Sequence, residues 1–254
     1  MSTQIHRLET GWQLAVYDSV TSTSDVIMTH PEACEGFAVL ARQQTKGRGR
    51  QGRPWASELD DGMYLSLALS PTRPTAEWPT LSFVAALSLF HALKHLFPDL
   101  PAGLKWPNDV LINRGKVSGL LLEARQDRLV LGCGVNLKNA PQLEGARFAP
   151  TDLLSQTGKQ TAPEELALCF LSYFYDHYQN WLSAGFLAQI DLYRSHLLFV
   201  GEPISVSQGA QVLEGIMIGM SDKGDLLLED SAGQIKSVTT GDVNLIGFSN
   251  ATRD

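Results

Sequence analysis

With 254 residues, 44% of them hydrophobic and 19% charged, the chain has a globular composition and the length for one large domain with a smaller one attached, which excludes a disordered or fibrous protein. A formal net charge of −7 argues against general nucleic-acid affinity, which needs basic residues spread over a face, so no DNA partner is expected. Cys34, Cys133 and Cys169 are widely spaced, form no zinc pattern and read as buried thiols in a reducing compartment; Met1 to His6 lack a signal-peptide core and no apolar run is long enough to span a membrane, so the expected location is cytoplasmic.

In chain order, strands are expected at 12–18, 37–42, 62–70, 103–112, 115–125 and 128–137, with helices near 22–30 and 77–97: an α+β domain built on a mixed sheet. Ser22-Thr23-Ser24-Asp25 is an N-cap signal for the first helix, and its hydroxyls are also placed to face a ligand. Between the strands at 37–42 and 62–70 lies Gly47-Arg48-Gly49-Arg50-Gln51-Gly52-Arg53-Pro54-Trp55. With Arg42 and Lys46 it gathers five basic residues, and no acidic residue occurs between Glu35 and Glu58. Guanidinium groups make paired, charge-assisted hydrogen bonds to phosphate or carboxylate oxygens, and glycine allows close main-chain approach. A basic island held at both ends in an acidic chain therefore points to a small polyanion, with a solvated loop or an RNA-binding segment as the alternative reading.

The helix at 77–97 carries Leu81, Val84, Ala85, Ser88, Leu89, Ala92, Leu93 and Leu96 at helical spacing, a core stripe stopped by Pro98. His91 and His95 lie four apart, a spacing metals use, but without a third ligand they read as a partly exposed helix edge. Lys105-Trp106-Pro107-Asn108-Asp109 interrupts the next apolar run, where Pro107 fixes a bend presenting Lys105 and Asp109 together. A lysine for phosphate and a lone carboxylate for magnesium is one reading; a surface ion pair beside a proline bulge is the other. Lys116-Val117-Ser118-Gly119 follows a tight turn, and Gly119 weakens its strand unless a ligand or backbone passes close by. Gly132-Cys133-Gly134-Val135-Asn136 is a further glycine-broken strand, either a ligand's approach to the sheet or a bulged core strand.

A loop is expected over 139–150, then a helix from a capping box at Thr161-Ala162-Pro163-Glu164 to about Trp181, and more helix near 186–196. Beyond Gly201, short alternating runs are separated by turn signals at Gln208-Gly209, Asp222-Lys223-Gly224 and Ala232-Gly233, the texture of a small all-β appendage. The expected division is 1–198 and 199–254.

Taken together, Ser22-Thr23-Ser24, Gln44 through Trp55, Lys105 through Asp109, Lys116 through Gly119 and Gly132 through Asn136 resemble the biotin protein ligases in order and spacing, over nearly the whole chain. The basic loop followed by Lys-Trp-Pro-Asn-Asp is the most specific pair. The resemblance implies a mixed-sheet catalytic domain of the class II aminoacyl-tRNA synthetase-like type and a small Src-homology-3-like β-barrel. Because the matching core begins almost at once, it also implies the monofunctional kind without a DNA-binding domain.

The implied reaction forms biotinyl-5′-adenylate from biotin and ATP with Mg2+, then transfers biotin to a lysine of a biotin carboxyl carrier domain. By matching position, Arg48, Arg50 and Lys116 supply cations to the reacting centre. Ser22, Thr23, Ser24, Gln44, Gly47, Arg48, Gly49, Arg50, Lys116 and Gly119 face biotin. Arg50, Arg53, Trp55, Lys105, Asn108 and Asn136 face ATP, and Asp109 the metal. The loop's like charges and glycines predict that it is disordered until the adenylate orders it. The related lipoate ligases, a biotin sensor without turnover and an RNA-binding protein are the rival readings; pairing of two copies through a sheet edge is open.

Overall fold

The computed structural model describes residues 4–30, 33–125, 128–142 and 148–246. Its first part is an eight-stranded mixed sheet. Strands β1 (Gln4–Arg7) and β2 (Gln13–Val20) precede helix α1 (Thr23–Thr29); β3 (Phe37–Gln44) and β4 (Gly62–Leu69) flank the basic loop. Helix α2 (Leu81–Leu96) leads to β5 (Ala102–Lys105), β6 (Asp109–Ile112), β7 (Gly115–Arg125) and β8 (Arg128–Asn136). Helices α3 (Leu153–Thr157), α4 (Pro163–Ala184) and α5 (Ile190–Ser195) complete this part. The strand order is β1-β2-β3-β4-β8-β7-β6-β5, with β2 and β3 parallel and the other neighbours antiparallel.

The two faces of the sheet are used differently because side chains alternate along each strand. Leu14, Ala38, Leu40, Leu65 and Leu67 join α2 and α4 in the main core. On α4, Phe170, Phe174, Tyr178 and Trp181 recur at helical spacing, stack in succession and are fully buried. Burying each such side chain contributes about 1.5–3 kcal/mol. On the opposite face, Ala15, Val39, Ala68 and Val130 meet Ile27 of the short α1 in a smaller cluster. Beyond α1 this second face carries no covering helix among the described residues, and the site lies there.

The C-terminal part is a five-stranded antiparallel sheet of β9 (Pro203–Gln208), β10 (Gln211–Met220), β11 (Leu226–Glu229), β12 (Ile235–Val238) and β13 (Asp242–Leu245), in the order β12-β11-β10-β9-β13. All three expected turn signals fall between its strands. It is fastened to the first part at several points: Trp106 Nε1 donates to the Gly224 carbonyl at 2.9 Å, Arg194 to the Met220 carbonyl at 2.7 Å, and Arg114 pairs with Glu202 at 2.8 Å.

Several expectations change. The run at 103–112 divides into β5 and β6 around a turn containing a cis Trp106–Pro107 bond. The helix expected from 77 begins as a 3-10 turn, Thr75–Thr80, because Pro79 cannot continue an α-helical ladder. Thr161 does not cap α4: Ala162 occupies the N-cap and Pro163 the first turn, with no side-chain cap bond. Ser22 sits at the N-cap of α1 but its side chain makes no cap bond. Of the cysteines, Cys133 is buried and Cys169 partly so, whereas Cys34 is exposed. His91 is partly exposed on its helix edge, as expected, and its Nδ1 also meets Nε2 of His177 on α4 at 2.9 Å. No helix among the described residues is long and apolar enough to cross a membrane.

Candidate active site

A cavity of about 510 Å³ opens between the bare face of the sheet, the basic loop and the edge of the C-terminal domain. Its floor follows from register. Lys105 pairs with Asp109, Asp109 with Gly119, Gly119 with Gly134, and Gly134 with Tyr64, so one row crosses β5, β6, β7, β8 and β4 on a single face. In the middle of that row two glycines lower the floor by two side chains, while a lysine and an aspartate stand at one end. Ser66, paired with Gly132, continues the low floor toward α1.

The space above the glycines is taken by Trp55. A Cβ at Gly134 would lie 2.6 Å from its indole, and one at Gly119 would lie 3.1 Å away. The ammonium of Lys116 lies 5.9 Å from the centre of the same ring system. The indole Nε1 is buried with no acceptor among the described residues.

At the polar end, Asp109 serves two lysines: Oδ2 is 2.9 Å from Lys105 Nζ and Oδ1 is 2.8 Å from Lys116 Nζ. Burial alone would raise the Asp109 carboxyl, but the two ammonium groups outweigh it and hold it down to about 2. Burial pulls the Lys105 ammonium below the usual lysine range, with Asp109 opposing. Lys105 also lies 4.9 Å from the Phe148 ring. Asp109, expected on the metal side of the site, stands in this clamp. Both of its oxygens face ammonium groups. The two lysines and the aspartate form a clamp at this end of the floor.

The basic loop is folded over the cavity by contacts within the chain. Arg48 and Pro54 bridge, Gly49 N donates to Arg53 O, and Gln51 (φ 57°) and Gly52 (φ 72°) turn the chain between them. Carboxylates offset the like charges. Arg48 is bidentate to Asp25 at 2.7 and 2.9 Å, which raises its pKa, with Glu123 at 3.9 Å. Arg53 Nη2 reaches Asp242 Oδ2 at 2.8 Å, and Arg50 Nη1 reaches Asn108 Oδ1 at 2.9 Å. Arg42 is turned away, paired with Asp60.

At the other end, Gln44 Oε1 accepts from Thr23 N and Oγ1 at 2.9 and 3.1 Å, and its Nε2 donates to Ser57 Oγ at 3.1 Å. Thr23 and Ser24 hydroxyls meet Ser66 Oγ at 2.7 and 3.1 Å. Asn108 Nδ2 donates to the Leu120 carbonyl at 2.6 Å and Asn136 Nδ2 to that of Thr151 at 3.0 Å, which fixes both amides at the rim.

Every expected site residue lines this cavity except Gly47. Gly47 is a packing glycine: a Cβ there would meet the Trp55 carbonyl at 2.5 Å and Ser57 Oγ at 2.8 Å. Sequence reasoning missed Ser66, Phe148 and Asp242. Ser66 carried a signal, a serine inside the apolar run of β4; Asp242, in the other domain, carried none.

Comparison with known proteins agrees with this geometry. The family model described as "Biotin/lipoate A/B protein ligase family" matches residues 16–137, and "Biotin protein ligase C terminal domain" matches 199–245. A biotin--[acetyl-CoA-carboxylase] ligase of Paracoccus denitrificans is 37% identical, over 77% of this chain and 85% of its own. That of Mycobacterium tuberculosis is 33% identical, over 92% and 89%. The biotin protein ligase of Aquifex aeolicus, solved in complex with biotin and ATP, superposes with a TM-score of 0.82 at 32% identity, covering 91% of this chain and 97% of that one. On the folded core, the basic loop, the lysine clamp and these relatives together, the chain belongs to the biotin protein ligase family.

Proposed function

We propose that this enzyme joins biotin to AMP at the expense of ATP and passes the biotinyl group to a lysine of a carboxylase's biotin carboxyl carrier domain, with residues 1–198 as the ligase core and 199–254 as a second domain. In the first step a biotin carboxylate oxygen bonds to the α-phosphorus as the bond to the β-phosphate oxygen breaks, releasing pyrophosphate. In the second, a carrier lysine amine attacks the carbonyl carbon, AMP leaves and the amine loses a proton.

The observation that carries this reading is the convergence of a glycine floor, a two-lysine clamp and an arginine lid on one cavity. Two anions must approach each other for the first step, and fixed cations aimed at that point lower the cost of bringing them together. Lys116 and Arg50 are assigned this role, with Asp109 keeping Lys116 extended over the floor. Arg48 is assigned a different one: its pairing with Asp25 makes it the strut that ties the lid to α1. Biotin's ring is assigned to the part of the floor that Trp55 leaves open, at Gly132 and Ser66 beside Ser22, Thr23, Ser24 and Gln44, and the nucleotide to the side of Trp55, Arg53, Lys105, Asn108 and Asn136. Magnesium enters with ATP as part of the substrate. A cytoplasmic location is part of the same proposal.

The test is pyrophosphate exchange into ATP with biotin or lipoate supplied separately. Exchange with biotin alone, followed by labelling of a carrier domain, is the expected result; exchange with lipoate alone overturns it.

A further inference from the structure

The lid is held from the far end of the chain. Asp242 opens β13, pairs in register with Ser207 of β9, and is mostly buried where it lines the cavity. Its two oxygens face two different lid arginines: Oδ2 lies 2.8 Å from Arg53 Nη2 and Oδ1 lies 3.6 Å from Arg50 Nη1. The preceding carbonyl, that of Gly241, accepts from the same Arg50 nitrogen at 3.4 Å. Arg50 thus stands between Asn108, in the turn that carries the lysine clamp, and the C-terminal domain.

Asp242 is fixed relative to the floor. The 106–108 turn that presents Asn108 also sends Trp106 Nε1 to the Gly224 carbonyl, and Arg194 grips the Met220 carbonyl with two nitrogens. At Gly241 the backbone has φ 154°, and a Cβ would lie 2.4 Å from Val206 Cγ1, so the chain passes too close to β9 for a side chain there. The carboxylate is therefore presented on a rigid sheet, whereas its partners sit on a glycine-rich loop. An acceptor on a sheet and donors on a glycine-rich loop form a latch.

We propose that Asp242 is a positioning residue that latches the arginine lid to the C-terminal domain and so keeps the activated intermediate enclosed between the two steps. The second domain then has a defined part in the reaction: its edge closes the cavity from which a mixed anhydride would otherwise escape to water. Asp242 acts through Arg50 and Arg53. This inference rests on the adenylate-forming reading above.

The experiment compares the full-length wild type with Asp242→Asn, Asp242→Glu, Arg53→Gln and the Asp242→Asn/Arg53→Gln pair. With biotin and MgATP present, adenylate released to solvent is trapped with hydroxylamine and divided by pyrophosphate exchange in the same sample. A charge-assisted hydrogen bond lost from the latch raises that ratio by about tenfold in Asp242→Asn. Asp242→Glu recovers most of the retention, and the double variant is no leakier than the leakier single one. Trypsin cleavage after Arg48 and Arg50, followed without substrates, speeds up in the same variants while the melting temperature stays within a few degrees. Wild-type retention and wild-type proteolysis in Asp242→Asn overturn the latch, as does additive leakage in the double variant. Should Asp242→Asn not fold, Arg53→Gln reads the same bond from the other side, and retention unchanged there is also fatal. Absence of biotin-dependent exchange in the wild type would instead remove the functional reading, and the proteolysis comparison would still judge the latch.

Discussion

Asp109 lies between two lysines, 2.9 Å from Lys105 and 2.8 Å from Lys116, and both pair with it. Lys116→Ala leaves the floor intact and removes one cation, so biotin-dependent pyrophosphate exchange is expected to slow by about 10²–10³-fold, the range for losing one preorganised donor. Normal exchange in that variant would remove Lys116 from the chemistry. Asp109→Asn has a different signature, because it leaves buried Lys105 without a counter-charge. A loss of about 3–5 kcal/mol in urea unfolding is expected, the cost of breaking a buried pair from one side. The pH dependence has the sign of a depressed carboxyl: the contribution of Asp109 is complete above about pH 3.9 and is lost as pH falls toward 2. Urea midpoints measured from pH 5 downward should decline in the wild type and lose this component in the asparagine variant; parallel curves would refute the clamp.

At the scale of elements, the lid and floor were legible because their chemistry is written in runs. A glycine in a strand invites close approach, and Gly119 and Gly134 are indeed what admits Trp55. Gly134→Val is expected to expel the indole, seen as a red-shifted tryptophan emission and a weakened affinity for ATP; unchanged emission would mean the floor has other slack. Less was legible where an element is short or depends on a distant partner. The four-residue β1, with one apolar residue, is a strand only because β2 pairs with it, and the five-residue α3 is too short to show a period. Its cap was in plain view, since Asp152 accepts from Ser155 N at 2.7 Å. The proline at 163 looked like part of a capping box, yet by holding the first turn itself it leaves the N-cap to Ala162. The partly exposed helix edge at His91 is also an interface, because α4 packs on α2 and brings His177 against it. Burial and His177 hold His91 down to about 4. Its share of stability is thus present above about pH 6.5 and fades as pH falls toward 4. His91→Gln should flatten that segment of the urea-midpoint profile, and an unaltered slope would assign it to other groups.

At the scale of the whole molecule, an acidic protein encloses a basic cleft, and the sequence overstates how basic it is. Arg48, Arg50, Arg53, Lys105 and Lys116 look like five charges awaiting an anion. In the fold they face Asp25, Asp109, Asp242 and Glu123, a surplus of one. The two domains meet at this network, which is why Asp242 had no local signal. Incoming phosphates must therefore displace or join carboxylates already in place, so nucleotide binding is an exchange of counterions inside the protein more than a capture from solution. The apparent affinity for ATP should then vary only weakly between 50 and 500 mM potassium chloride, about the dependence expected for one net charge. A steep dependence, of the kind five unshielded cations would give, would show that the internal anions had been released beforehand.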